Sequence, residues 1–253
     1  MKMILKGIFL ILILFLSGNL SASTGYDVEV QCPLCGTTAK YWQQLSYSIF
    51  TYGLDLMPMG AARIPQPIPK CENCGFVFIE DYFTEEEITI LRNHIINQKA
   101  FSGKENFPMY YYLAYELELL GSKSYDDMAY FYVCSVWEYS IIKMAIDYMR
   151  ENNIENENSP DFDNNKYMFL MKNAIEKING LSRDSEQYDN MQLIKLDFLR
   201  RTSQFNEAKA VIETIKNNKS FYQEIIVDII DFQIRLIEEK NTEPHRLDEM
   251  KQD

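Results

Sequence analysis

Four of the chain's five cysteines fall into two matching pairs, Cys32-Pro33-Leu34-Cys35-Gly36 and Cys71-Glu72-Asn73-Cys74-Gly75. A two-residue spacer turns the backbone tightly enough to aim both sulfurs of a pair into one concavity. Glycine directly after the second cysteine admits the positive φ that such a turn favours. Two of these knuckles facing one another present four thiolates as a tetrahedron, which suits a structural zinc ion. Cys32, Cys35, Cys71 and Cys74 are therefore the expected ligands of one ion, and no open coordination position is left for catalysis.

The flanks agree with a ribbon-like head. Tyr26, Val28 and Val30 alternate with Asp27, Glu29 and Gln31, the pattern of a half-buried strand. Phe76-Val77-Phe78-Ile79 after the second pair reads as another short strand. Residues 36 to 70 separate the pairs, 35 residues in all, against about 15–20 in a compact ribbon. Within this insert, Ile64-Pro65-Gln66-Pro67-Ile68-Pro69 is expected to be an extended, polyproline-like approach to the second knuckle.

The start of the chain sets a competing reading. Lys2 and Lys6 precede the apolar run Ile8 to Leu16, and small residues follow at Ser21-Ala22-Ser23. A basic region, a short apolar region and a small-residue exit make a secretory signal peptide over residues 1–23. The run is shorter than the roughly 20 apolar residues a spanning helix needs, so no membrane span is expected after cleavage. The protein is thus expected to be exported, to the periplasm or envelope of a diderm bacterium or into the medium. Thiols tend to oxidise outside the cytoplasm, so one or two disulfides, or a thiol–disulfide redox centre, compete with zinc. Against the redox reading, Cys35 is followed by Gly36-Thr37-Thr38, whereas thioredoxin-type pairs open a helix that lowers the thiol pKa. A zinc site formed before oxidation is worth about 10–16 kcal/mol in peptides. Cys134 lies among Tyr130, Trp137 and Ile141 at helical spacing and reads as a buried, inert thiol.

The remainder reads as helices. Thr84-Glu85-Glu86-Glu87 has capping-box form and opens a helix with an apolar stripe at Ile88, Leu91, His94 and Ile95. His94 is expected to be a core or boundary residue and not a ligand. Pro108 starts a second helix that stops at Gly121, and Ser124 caps a long third one. Their tyrosines, among them Tyr110 to Tyr112, Tyr130, Tyr132 and Tyr139, either pack between helices or line a peptide groove; packing is the expected role. The Asn/Glu/Asp-rich residues 151–165 read as an exposed loop. Further helices are expected at 166–179, 188–201, 206–216 and 221–239, with a fraying tail over 241–253. Leu196, Leu199, Phe205, Ala208, Ile212 and Ile215 carry tetratricopeptide-like spacing, and Leu117, Leu120, Ala129, Val133 and Val136 repeat the offsets. Two such units fall short of the three or more an array requires, so the other helices must complete the stack. The expected organisation is mainly α: signal peptide 1–23, a small β zinc-ribbon-like head 24–83, a tetratricopeptide-like antiparallel helical stack 84–240, and a tail 241–253.

Taken together, the CPxCG knuckle at Cys32, the insert with Leu54-Asp55-Leu56-x-Pro58, the CxxCG knuckle running into Phe76-Val77, and the helices behind resemble an uncharacterised bacterial family, the domain of unknown function 2225. The resemblance implies the two-part architecture and a metal site at the four cysteines. It implies no activity. The second knuckle departs from the family pattern, with Glu72 where proline is usual.

Function classes narrow accordingly. With 25 basic against 37 acidic residues and a net charge of −12, the chain repels phosphate backbones, so no nucleic-acid partner is expected. Loss of Lys2 and Lys6 with the leader removes two positive charges and takes −12 to −14. HExxH, GxSxG and GxxxxGK[ST] do not occur, and His94 and His245 lie far apart. A non-catalytic scaffold for an unknown protein or peptide leads, with a thiol-redox or metal-dependent enzyme of the cell envelope as the alternative.

Overall fold

The computed structural model describes residues 24–61, 65–97, 107–121, 124–154, 162–218 and 224–251. The segment read as a signal peptide lies outside them. The described part is mainly helical with a small β head. Its strands are β1 (Thr24–Gln31), β2 (Thr38–Ser46), β3 (Ile49–Tyr52) and β4 (Pro58–Gly60). Its helices are α1 (Glu85–Arg92), α2 (Met109–Leu120), α3 (Tyr125–Glu151), α4 (Asn164–Asn179), α5 (Tyr188–Arg201), α6 (Phe205–Lys216) and α7 (Glu224–Glu238).

The strand before the first knuckle forms, with Val30 buried and Val28 half-buried against exposed Asp27, Glu29 and Gln31, but Tyr26 at its start is exposed and not on the buried face the alternation predicts. Its partner is β2, in antiparallel register Val30↔Ala39 and Gln31↔Thr38, so the first knuckle is the tip of a hairpin. The stretch Phe76–Ile79 is not a strand. Pairing around the second knuckle is limited to the single bridge Lys70↔Val77 and a Phe78 N–H bond to the Pro69 carbonyl at 3.2 Å. Pro67 and Pro69 lack the N–H donors a longer ladder requires.

A buried cluster fastens the two knuckles to α1. Val30, Cys32, Leu34 and Ala39 meet Cys71, Phe76 and Phe78 on one side and Ile88, Leu91 and Ile95 on the other. The apolar stripe of α1 thus packs on the head. Thr84 caps α1 in a full capping box with Glu87, and a π-turn over Asn93–Asn97 follows, holding a half-buried His94.

Helices α2 to α6 pack each on the next, and α7 lies against α5 and α6. The stop signals act as written. Gly121 takes the left-handed conformation at φ 64° and closes α2, the Ser124 hydroxyl accepts from Asp126 N–H, and Asp163 caps α4. Tyr110, Tyr111, Tyr112, Tyr132 and Tyr139 are buried between helices, so packing is their role, whereas Tyr130 is exposed. Cys134 is fully buried, and burial pushes its thiol well up.

The tail does not fray over its described part. The Leu54 N–H bonds the His245 carbonyl at 2.9 Å, Gly53 bridges Arg246, and a 3-10 turn follows over Leu247–Lys251. Insert and tail are also joined to α5 by a buried polar network. Arg200 donates to Asp197 at 2.6 Å, to Gln233 at 2.9 Å, and to the Asn241 and Glu243 carbonyls at 2.7 and 2.9 Å. Arg201 bonds Asp197 and Asp55, each at 3.3 Å, and the Tyr167 hydroxyl. Two guanidinium groups thus balance two carboxylates away from water, a requirement for keeping charge buried.

Candidate metal centre

The two knuckles have the same internal hydrogen bonds. In the first, Gly36 N–H reaches the Cys32 carbonyl at 2.8 Å and Cys32 N–H the Thr37 carbonyl at 2.9 Å. In the second, Gly75 N–H reaches the Cys71 carbonyl and Cys71 N–H the Phe76 carbonyl, both at 2.8 Å. Gly36 and Gly75 sit at φ 75° and 78°, where a Cβ would be strained.

These turns bring the four sulfurs together, all within 4.8 Å of one another. Across the knuckles, Cys32 lies 3.7 Å from Cys74 and Cys35 lies 3.5 Å from Cys71. A tetrahedron with metal–sulfur bonds near 2.3 Å has edges of about 3.8 Å, so the sulfurs are already spaced to hold a metal ion. All four are free thiols. Among the described residues they form the one cluster of metal-donor side chains; His94 and His245 are not in it.

The thiols differ electrostatically. Burial raises Cys32 to about 11 and pushes Cys74 higher still. Cys35 is only partly buried. Slight desolvation raises its pKa, but hydrogen bonding with the Thr37 hydroxyl and backbone and a bond from the Asn73 amide outweigh that and lower it to about 6. A bound cation would favour the thiolate at every position.

Two side chains outside the knuckles hold them in place. Arg92, at the end of α1, donates through Nε to the Leu34 carbonyl inside the first knuckle at 3.0 Å. Glu116 of α2, with no exposed surface, accepts from Val77 N–H at 3.2 Å, three residues after the last cysteine. Burial drives the Glu116 carboxyl well above the usual carboxylate range, opposed by that N–H. Its second oxygen has no partner among the described residues, consistent with a neutral acid. Neither residue stands out in the sequence. The one available signal for Glu116 is an acid on an otherwise apolar helix, Tyr110 to Leu117.

Comparison with known protein families, curated proteins and solved structures returns no match. Functional reasoning therefore rests on the site and the surfaces alone.

Proposed function

We propose that the chain is an exported, non-catalytic scaffold that binds a protein or peptide, its head held by one structural zinc ion on Cys32, Cys35, Cys71 and Cys74. The observation that carries the metal half is the facing of two alike knuckles with thiols 3.5–3.7 Å apart across them. Zinc is the preferred ion because it accepts four thiolates in a tetrahedron without redox chemistry. Four thiolates close the coordination shell, which favours a staple over a reaction centre. The resemblance to the domain of unknown function 2225 is retained on the same cysteines. Export is favoured by the leader-like first 23 residues; among the described residues no helix is long and apolar enough to cross a membrane.

Binding is supported by the stack of packed helices, the kind of architecture that presents extended side-chain surfaces to partners. Crosslinking in intact cells followed by mass spectrometry tests it: one recurrent partner, joined through helical-body residues, is expected. Recovery of no specific partner would remove the binding reading.

A thiol–disulfide redox centre is the second reading, favoured by the partly exposed Cys35 with its thiol lowered to about 6. Cys71 of the other knuckle lies 3.5 Å from the Cys35 sulfur, so a disulfide formed there would join the two knuckles. Turnover in a thiol-exchange assay, lost in Cys35→Ser, would establish that reading.

A further inference from the structure

A cleft of about 480 Å³ lies between α4, α5 and α6. One side of it is the stripe Tyr188, Gln192, Lys195 and Leu199 of α5, at the three- and four-residue spacing that keeps side chains on one helix face. Arg183 of the α4–α5 connection and Glu207 of α6 line it as well.

The two cations of this cleft have no counter-charge. Lys195 is half-buried, and burial alone pulls its pKa down, with no carboxylate close enough to raise it. Neither Lys195 nor Arg183 has an ion pair or a side-chain hydrogen bond among the described residues. Elsewhere in the stack, sheltered cations are matched: Lys177 sits 2.5 Å from Glu118, Lys143 sits 2.7 Å from Asp147, and Arg200 and Arg201 share Asp197. Glu207, the one acid in the lining, is exposed and pairs with neither cation. Gln192 is 4% exposed, and its amide, neither paired nor sealed from solvent among the described residues, opens on the same cleft.

Stripping water from a cation without supplying an anion costs free energy. The group that offsets this at Lys195 is an anion brought by a ligand. With a net charge of −12, the rest of the chain repels acidic ligands, so holding one takes a local cationic site of this kind.

We propose that this cleft binds a carboxylate of an acidic peptide segment, with Lys195 and Arg183 supplying the opposite charge and Gln192 Nε2–H donating to a carboxylate oxygen. The proposal rests on the binding reading above and names the surface and chemistry of that binding. Both cations gain the partner they lack within the chain. The sheltered position of Lys195 makes its pair stronger than one on open surface, where water screens the attraction.

The test uses the protein as purified from cells and two fluorescent peptides of the same length. One carries glutamates and a free C-terminus, the other glutamines and an amidated end. Fluorescence anisotropy at low salt is expected to show saturable binding of the acidic peptide and binding about tenfold weaker or worse for the neutral one. Lys195→Met keeps the half-buried stem and removes the charge. It is expected to weaken the acidic peptide about tenfold, while its thermal midpoint stays level or rises because no unpaired cation loses water on folding. Arg183→Gln, at an exposed position, is expected to weaken the same peptide, and Glu207→Gln to tighten it. A lowered midpoint with unchanged binding in Lys195→Met marks a structural lysine and overturns the proposal. Equal binding of the two peptides, or inorganic phosphate binding more tightly than the acidic peptide, overturns it as well. If crosslinking still finds a partner then, the scaffold reading stands without this cleft; if it finds none, both fall.

Discussion

At the scale of single residues, Glu116 sets the clearest expectation. Its carboxyl is buried, accepts one backbone N–H from Val77 and is pushed up by desolvation. A carboxyl with a raised folded-state pKa binds its proton more tightly in the folded chain than in the unfolded one. Its stabilising contribution is therefore complete below the unfolded value and is lost as pH rises toward the folded one. Glu116→Gln keeps an acceptor for Val77 and cannot ionise. The variant should match the wild type near pH 4.5 and gain about 1–3 kcal/mol over it at pH 8. Urea unfolding of both proteins at the two pH values checks this; a difference that does not change with pH would show that Glu116 is not held neutral. Arg92 supplies the matching tie to the first knuckle, and Arg92→Met should cost about 1 kcal/mol through the lost bond to Leu34, read in the same assay.

At the scale of elements, the segment after the second knuckle and the tail are where sequence and structure part most. The capping box at Thr84, the start at Pro108 and stop at Gly121, and the bounds of α5 were all legible, because local signals of capping and 3.6-residue spacing decide them. The strand at 76–79 was not, because Pro67 and Pro69 on the facing side remove the donors it needed. The docked tail was also hidden, since its hold comes from residues far away in the chain: Arg200 on the Asn241 and Glu243 carbonyls, and Leu54 on His245. An Asp197 followed at i+3 and i+4 by Arg200 and Arg201 among Leu196, Phe198 and Leu199 was the only local sign of the network, and helix surfaces carry the same spacing routinely. Burial makes that network consequential. Asp55→Ala removes one carboxylate from a pair of buried guanidinium groups and should destabilise by about 3–5 kcal/mol. Hydrogen exchange should show the loss first as reduced protection across residues 49–60 and 245–250. Protection lost evenly over all helices instead would place the network at the centre of the whole fold.

At the scale of the molecule, the four cysteines were legible as a set because the two-residue spacing with a following glycine dictates the knuckle locally. What spacing alone did not reveal is that α1 closes over both knuckles, with Ile88, Leu91 and Ile95 in their cluster, and that Glu116 joins that unit to the helices behind. Loss of one ligand should therefore spread by contact and not by sequence order. Cys71→Ser is expected to loosen residues 26–97, α1 included, while α2 to α7 keep their slow-exchanging amides. Collapse of the helical circular dichroism signal in this variant would mean that head and stack do not fold separately.

The central claim is that Cys32, Cys35, Cys71 and Cys74 share one metal ion in a closed shell, and native mass spectrometry with a thiol count on protein purified without added metal tests it most directly. The account predicts one zinc per chain and four thiols that resist alkylation until a chelator or acid removes the ion, Cys134 staying buried throughout. Two disulfides and no metal would contradict it.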